Sequence, residues 1–299
     1  MELIKSAAAV AAINFKRWIK DSRVRFVFLF SGILVCFYIV PYTSYGLSSG
    51  GSCTIWMLPL LFQSGNISVG LPKMILHIGM LLLLCDAPFL TKMTPYMVIR
   101  SRRTAWCLGE CMYIIMAAFV YTCFLSLLTM IILLPVAEMS SDWGSVVHDV
   151  MYGTETMSRT QIIELYDFEW KINSDLYRYI YPMQGHLYTF MAVWGSFSFI
   201  GLLMYMVSLM SKKLLPGMCA SGIFIFIDPI LEWVEEANGL ADCFSPVSWT
   251  SLDRMSSPVK SKMMTISMAL VLYVVLCVTI VLITWYISKW TMIEVKARK

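Results

Sequence analysis

The sequence predicts an all-α polytopic membrane protein of six transmembrane helices, and three observations carry that prediction. Hydrophobic residues make up 59% of the 299, charged residues only 14%, and the mean hydropathy is +0.71. A soluble domain carries about 25% charged residues. Six apolar runs, 25–43, 72–90, 107–134, 187–210, 215–234 and 264–288, match the roughly 20 residues that a helix needs to cross a bilayer. They are continuous, whereas a membrane β-barrel shows segments of about 10 residues with alternating polarity.

Basic residues alternate with these runs. Segments 1–25, 91–106, 211–214 and 289–299 hold 16 of the 23 Lys and Arg, while the longer loops 44–73, 135–186 and 235–263 hold the other 7. The positive-inside rule then places both termini and the 91–106 segment on the cytoplasmic side of a plasma membrane. The net charge of +4 is therefore a topology signal and gives no sign of nucleic-acid binding. Residues 1–24 lack a compact apolar core ending in a small-residue cleavage site, so the first span is expected to remain in the mature protein.

In chain order, residues 1–24 read as an amphipathic helix lying on the membrane. Ile4, Ala8, Ala11, Phe15, Trp18 and Ile19 recur at helical spacing, with Lys16, Lys20 and Arg23 on another side. Lys16, Arg17, Trp18 and Lys20 are the residues expected in the headgroup layer. The following segment, 44–71, is rich in glycine and holds the apolar patch Ile55–Phe62, which is too short to span and is expected to dip into the outer interface.

Asp86 ends the leucine run of the second span, and Glu110 stands one turn into the third. An aspartate at a helix centre costs about 2.5–3.5 kcal/mol on insertion scales, less near an interface. Lys92, Arg100, Arg102 and Arg103 lie between the two acids, so pairing across this hairpin is expected to offset the cost and brace it. Pro88 and Pro95 restrict the residues before them, which predicts an exit, a turn and a short helix near 94–103.

Loop 135–186 carries eight acids against three bases, together with eight aromatic residues, a composition that folds rather than one that stays a linker. Further on, Asp228-Pro229 has the form of an N-cap followed by a first-turn proline. This predicts a helix break near the outer face and a re-entrant segment over 228–253, with a second short element at 245–253. The sequence shows no internal repeat and no separate soluble domain.

Chemistry-bearing motifs are missing. The chain has no phosphate-binding glycine loop, no His-Glu-x-x-His and no Gly-x-Ser-x-Gly. His77, His148 and His186 are scattered, so no catalytic residue, bound cofactor or metal ligand is predicted, and a lipid-modifying intramembrane enzyme is disfavoured. Cys107 and Cys111 share a helix face and read as packing; Cys53 and Cys243 fall in outer loops, where a disulfide is open to them.

The stretch "DAPFLTKMTPYMVIRSRRTAW" at 86–106 resembles the cytoplasmic hairpin of type-2 ATP-binding-cassette exporter permeases. It is most similar to the six-span permeases of Gram-positive peptide and antimicrobial-resistance export systems. "DWG" at 142–144 before a long outer loop and "FSPVSW" at 244–249 before the last span look like the same group. The resemblance implies a bacterial permease subunit that works with a second copy or a sister chain, and with two separate ATPase subunits that bind ATP and Mg. Its cargo would be a peptide-like or amphipathic substrate. It implies a coupling role for Thr94, Pro95, Tyr96, Arg100, Arg102, Arg103 and Trp106, with Asp86 and Glu110 bracing the hairpin. Asp228, Glu232, Glu235 and Trp249 become outer-gate candidates. The roughly 50-residue outer loop departs from the compact members. The alternative is a non-transporting membrane receptor or immunity protein that binds a peptide at that loop.

Overall fold

A computed structural model describes residues 2–63, 67–89, 96, 98–99, 102–138, 142–166, 168, 179–234, 241–255 and 264–290; within these, the side chains of 67–69, 232–234, 241–242 and 290 are not described. The described elements are helices and short turns. In order they are α1 (Glu2–Trp18), α2 (Ser22–Ser49), α3 (Ile67–Leu83), α4 (Arg103–Leu133), α5 (Ser145–Tyr152), α6 (Arg159–Leu165), α7 (Pro182–Ser211), α8 (Leu214–Val234) and α9 (Ile266–Trp290). Five helices, α2, α4, α7, α8 and α9, are long and apolar enough to cross a membrane, and α3 is a shorter apolar helix. The chain is a helical, multi-pass membrane protein.

The long helices end where their chemistry says they should. Asp21 caps α2 by accepting the Arg23 amide at 3.0 Å, and Gly50 closes it with φ +69°, the left-handed conformation a glycine adopts freely. Pro182 opens α7 at a position whose amide needs no partner. Large apolar side chains cover the outward faces. On α9, Met268, Val271, Val274, Val278 and Leu282 are all exposed, as lipid-facing residues are.

The six apolar helices run alternately between two ends. Arg23 at the start of α2 meets Asp86 just past the end of α3, at what is here termed the N-terminal end. The opposite, cap end is made by the segment 50–54 and residues 134–138 and 142–146. Cys53 and Ala137 form a parallel bridge, with the Cys53 amide on the Val136 carbonyl at 2.9 Å and the Glu138 amide on the Cys53 carbonyl at 2.9 Å. Helices α4 and α7 pack on one another at the centre; α1, α2 and α9 pack on α4, and α3, α8 and α9 on α7.

Three expectations are revised. The N-terminal helix ends at Trp18, Arg23 belongs to α2, and the face that packs is Ala7, Val10, Ala11 and Asn14 against α4, with Ile4 and Ile19 left exposed. Small side chains decide this, because they let α1 approach: a Cβ on Gly109 would stand 2.7 Å from both the Ala7 carbonyl oxygen and the Val10 Cβ. The patch Ile55–Phe62 is not an interfacial dip. Met57, Leu58, Leu60, Leu61 and Phe62 are fully enclosed, and the 3-10 turn Leu58–Phe62 packs on α3 and α7. Finally, α8 passes through Pro229 without a break, so Asp228 is no N-cap. A proline removes one ladder hydrogen bond and crowds the preceding turn, which bends a helix well supported by its neighbours rather than ending it.

The described part of the large loop is folded onto the cap end. Trp143 Nε1 donates to the Ile180 carbonyl at 3.0 Å, and the Tyr45 hydroxyl donates to Asp149 at 3.1 Å. Tyr45, Tyr166 and Phe168 stack edge to face with one another or with Tyr42. Cys53 and Cys243 are both free thiols, so the disulfide left open by the sequence is not formed.

Candidate functional site

The most unusual site is a charge pair sealed inside the cap end. Lys73, in the second turn of α3, is 1% exposed; Asp228, in α8, is 2% exposed; Lys73 Nζ stands 2.7 Å from Asp228 Oδ2. Burying one charge is expensive, and it is tolerated only where a partner and hydrogen bonds replace water. Here each charge has both its partner and hydrogen-bonding hydroxyls. Lys73 Nζ also donates to Ser251 Oγ at 3.1 Å, and Asp228 Oδ1 accepts the hydroxyls of Ser245, at 3.3 Å, and of Ser248.

Those three serines come from one stretch wound in 3-10 turns, Ala241–Phe244, Ser248–Thr250 and Leu252–Arg254. The amide of Ser248 bonds the Ser245 carbonyl at 3.0 Å, that of Ser251 the Ser248 carbonyl at 3.0 Å, and that of Arg254 the Ser251 carbonyl at 3.2 Å. A 3-10 turn repeats every three residues, so side chains at i and i+3 eclipse. Ser245, Ser248, Ser251 and Arg254 therefore form one polar stripe. Arg254 is 7% exposed; burial pushes its guanidinium below the ordinary value, and the charge of Asp228 opposes that shift.

The other sides of the stretch are apolar. Val247, Trp249, Leu252 and Met255 are buried, Trp249 meets the Tyr273 ring edge-on at 5.2 Å, and the Tyr273 hydroxyl donates to the Pro246 carbonyl. Gly195 lets α9 come this close, since a Cβ there would lie 2.8 Å from the Tyr273 ring. His77, one turn beyond Lys73, donates from Nδ1 to the Lys73 carbonyl at 2.7 Å and contacts Ser196 Oγ through Nε2 at 3.0 Å. Four helices thus converge on the stripe.

At the N-terminal end both expected bracing acids are bonded to residues of α1 or the start of α2. Asp86 is paired with Arg23, which also holds Asp21 at 2.6 Å and donates to Cys85 Sγ at 2.7 Å. The Arg23 guanidinium keeps the Asp21 carboxyl below the usual range. Glu110, 1% exposed, accepts from Asn14 Nδ2 at 2.5 Å, and Trp18 Nε1 donates to the Tyr113 hydroxyl at 2.7 Å. Asp86 and Glu110 therefore tie the hairpin ends to the start of α2 and to α1, while Lys92 and Arg100 lie outside the described residues. A small cleft lined by Asn14, Arg17, Trp18, Asp21, Arg23 and Asp86 lies between them.

Of the residues assigned to coupling, Tyr96 is 71% exposed and Arg102 and Arg103 are exposed, but Trp106 is buried at 1% against Tyr205. An indole at the fourth residue of α4 faces the core because α1 and α7 cover that side. Thr94, Pro95 and Arg100 lie outside the described residues, as do Glu235 and the side chain of Glu232. Lys16 and Lys20 are exposed, Arg17 and Trp18 half-buried. Asp228 and Trp249 do come together with the stripe, joined by Lys73, which in the sequence is one base of the 44–73 loop. The missed signal is the three-residue spacing of Ser245, Ser248, Ser251 and Arg254.

Among the described residues no group of three His, Cys, Asp or Glu side chains is placed to hold a metal ion. Chemically, the site holds an ammonium and a carboxylate neutralised by each other and by hydroxyls, an arrangement suited to fastening one segment to another. No protein-family model matches the chain, and no curated protein or solved structure matches it either.

Proposed function

We propose that the chain is the permease subunit of a type-2 ATP-binding-cassette exporter, lying in a bacterial plasma membrane with six spans and both termini cytoplasmic. It moves a peptide-like or amphipathic substrate outward. In this reading the N-terminal end faces the cytoplasm and the cap end faces outside, which agrees with the basic residues gathered at 1–25 and 91–106. The exposure of Tyr96, Arg102 and Arg103 supports their role as the docking surface for an ATPase subunit, which binds the ATP and its Mg.

The observation that carries the reading is the cap end itself. Two non-α segments, 53–63 and 245–255, are folded inside the bundle, and the second is fastened by the buried Lys73–Asp228 pair. Irregular backbone at membrane depth persists only where protein covers it or a watery cavity meets it. A bundle closed at one end by such segments suits a conduit with an outer gate.

The test is co-purification. The tagged chain, extracted gently from its native membrane, is expected to bring a cassette ATPase with it. The variant carrying Arg100→Glu, Arg102→Glu and Arg103→Glu is expected to lose it. A second reading, a receptor or immunity protein that transports nothing, draws on the folded aromatic cap around Tyr45, Tyr166 and Phe168. Absence of any ATPase from intact membrane complexes favours that reading and removes the first.

A further inference from the structure

We propose that Cys107 and Cys111 form a two-coordinate site for a soft monovalent ion, Cu(I), held between their sulfurs inside the N-terminal end of the bundle. The inference goes beyond the permease reading and uses none of its parts.

The spacing comes first. Residues four apart on an α-helix lie one turn from each other on the same face. In α4 this places both thiols in the core: Cys107 is 0% and Cys111 2% exposed, and the two side chains interact directly. The helix limits what the pair can do. Cβ atoms at this spacing stand about 5–6 Å apart, whereas a disulfide holds them at about 3.5–4.5 Å. Both cysteines are free thiols. They do not close into a disulfide while α4 stays helical, but one atom shared between the two sulfurs spans the gap.

The donor set then selects the ion. Zinc in a structural site takes four ligands, and among the described residues no third His, Cys, Asp or Glu joins the pair. Glu110, between the two in sequence, turns its carboxyl to Asn14. Two thiolates without a hard ligand suit Cu(I), a soft ion that accepts two donors in line. Binding is a proton exchange with no redox change. Each thiol loses its proton as its sulfur meets the ion, so one Cu(I) enters and two protons leave.

The resulting centre carries one net negative charge, and its surroundings offer what that charge needs. The hydroxyls of Tyr205, from α7, and Ser288, from α9, stand beside the Cys107 side chain. Tyr205 is fully enclosed, and its hydroxyl has no other hydrogen-bond partner among the described residues. A buried donor facing only a neutral thiol is costly. A metal-bound thiolate is the acceptor it lacks, and donors of this kind fix and tune the ligands of a metal. The S–H of Cys107 reaches the Thr284 carbonyl at 3.6 Å, a long bond that deprotonation gives up. Arg103, four residues before Cys107, is exposed, so the site lies one turn from the surface at that end.

The test uses the full-length chain in detergent, kept reduced, with Cu(I) supplied as its bicinchoninate complex. The wild type is expected to draw one more equivalent of Cu(I) from the chelator than the variant carrying Cys107→Ser and Cys111→Ser. Either single substitution is expected to weaken that equivalent at least tenfold. Tyr205→Phe, which keeps both sulfurs, is expected to weaken it about tenfold, as loss of an outer partner does. Cys36→Ser with Cys219→Ser, which removes two exposed thiols, is expected to leave it unchanged. X-ray absorption of the wild type at one equivalent is expected to show two sulfur neighbours, and this arm needs no variant to fold. Three or more sulfurs around the ion overturn the site, as does a wild type that takes no Cu(I). An equivalent that survives Cys107→Ser with Cys111→Ser means an adventitious ion only, and overturns it too.

Discussion

Asn14 of α1 donates its amide to the carboxyl of Glu110 of α4 at 2.5 Å, inside an interface where both side chains are shielded from water. This bond identifies the N-terminal helix as a packed part of the bundle, set against α4 through its smallest side chains. Replacing Asn14 with Leu removes the donor and strands a buried carboxyl, a change that costs about 1–3 kcal/mol. The melting temperature in detergent is expected to fall accordingly. Glu110→Gln, which still offers an oxygen to Asn14, is expected to melt close to the wild type.

Gly109 gives a steric version of the same claim. Any Cβ there meets the Ala7 carbonyl and Val10 at 2.7 Å, closer than packed atoms come. Gly109→Leu is expected to push α1 off its seat and let its backbone fray, so that trypsin cuts at Lys5, Lys16 and Arg17. Limited proteolysis followed by mass spectrometry checks this: wild type resists within α1, and the variant is cut there first.

Much of the fold was legible because lipid imposes a coarse rule. Long apolar runs gave the long helices, and basic residues divided their connections into two sets. What was not legible depended on who covers what. Ile55–Phe62 reads alike whether headgroups or other helices enclose it, and only α3 and α7 decide. Lys73 lies beside a glycine-rich loop and reads as part of it; its partner is in α8, and nothing local announces a contact between residues so far apart. Asp228-Pro229 has the local chemistry of a helix start, but α8 runs through it, and the carboxylate is turned to Lys73 and the serines instead. That Asn14 meets Glu110 is hidden in the sequence, because large apolar side chains mark one side of α1 while its packing on α4 follows the small ones.

The cap on α2 carries a pH dependence whose sign is fixed. Asp21 is held below the ordinary carboxylate value by Arg23, so its charged form is favoured in the folded state. Its contribution is present above the ordinary carboxylate range and is lost as the pH falls through the lowered folded value. Asp21→Ala is expected to cost about 1 kcal/mol near neutral pH as a lost N-cap. Thermal melts across the acid range are expected to show the gap between the two proteins closing at low pH; a gap that widens there contradicts the assignment.

Cys53 supplies a chemical probe of the cap end. It is fully buried and its thiol is pushed up to about 12 by burial, against an ordinary value of 9.0. The thiolate is the reactive form, so Cys53 is expected to resist maleimide in the native protein at pH values that label an ordinary exposed thiol. It is expected to react fully after denaturation without any reductant, because it forms no disulfide. Peptide mapping of the labelled chain reads both outcomes.

The central claim is that a separate ATPase works through this chain, and its most direct test is coupled hydrolysis. The chain and its co-purifying ATPase are reconstituted together in liposomes, and ATP turnover is compared with that of the ATPase alone and of the complex bearing Arg100→Glu, Arg102→Glu and Arg103→Glu. The permease account predicts turnover that changes on assembly with the native chain and returns to the unassembled rate with the variant. An ATPase indifferent to the native chain, or a variant complex that still couples fully, contradicts it.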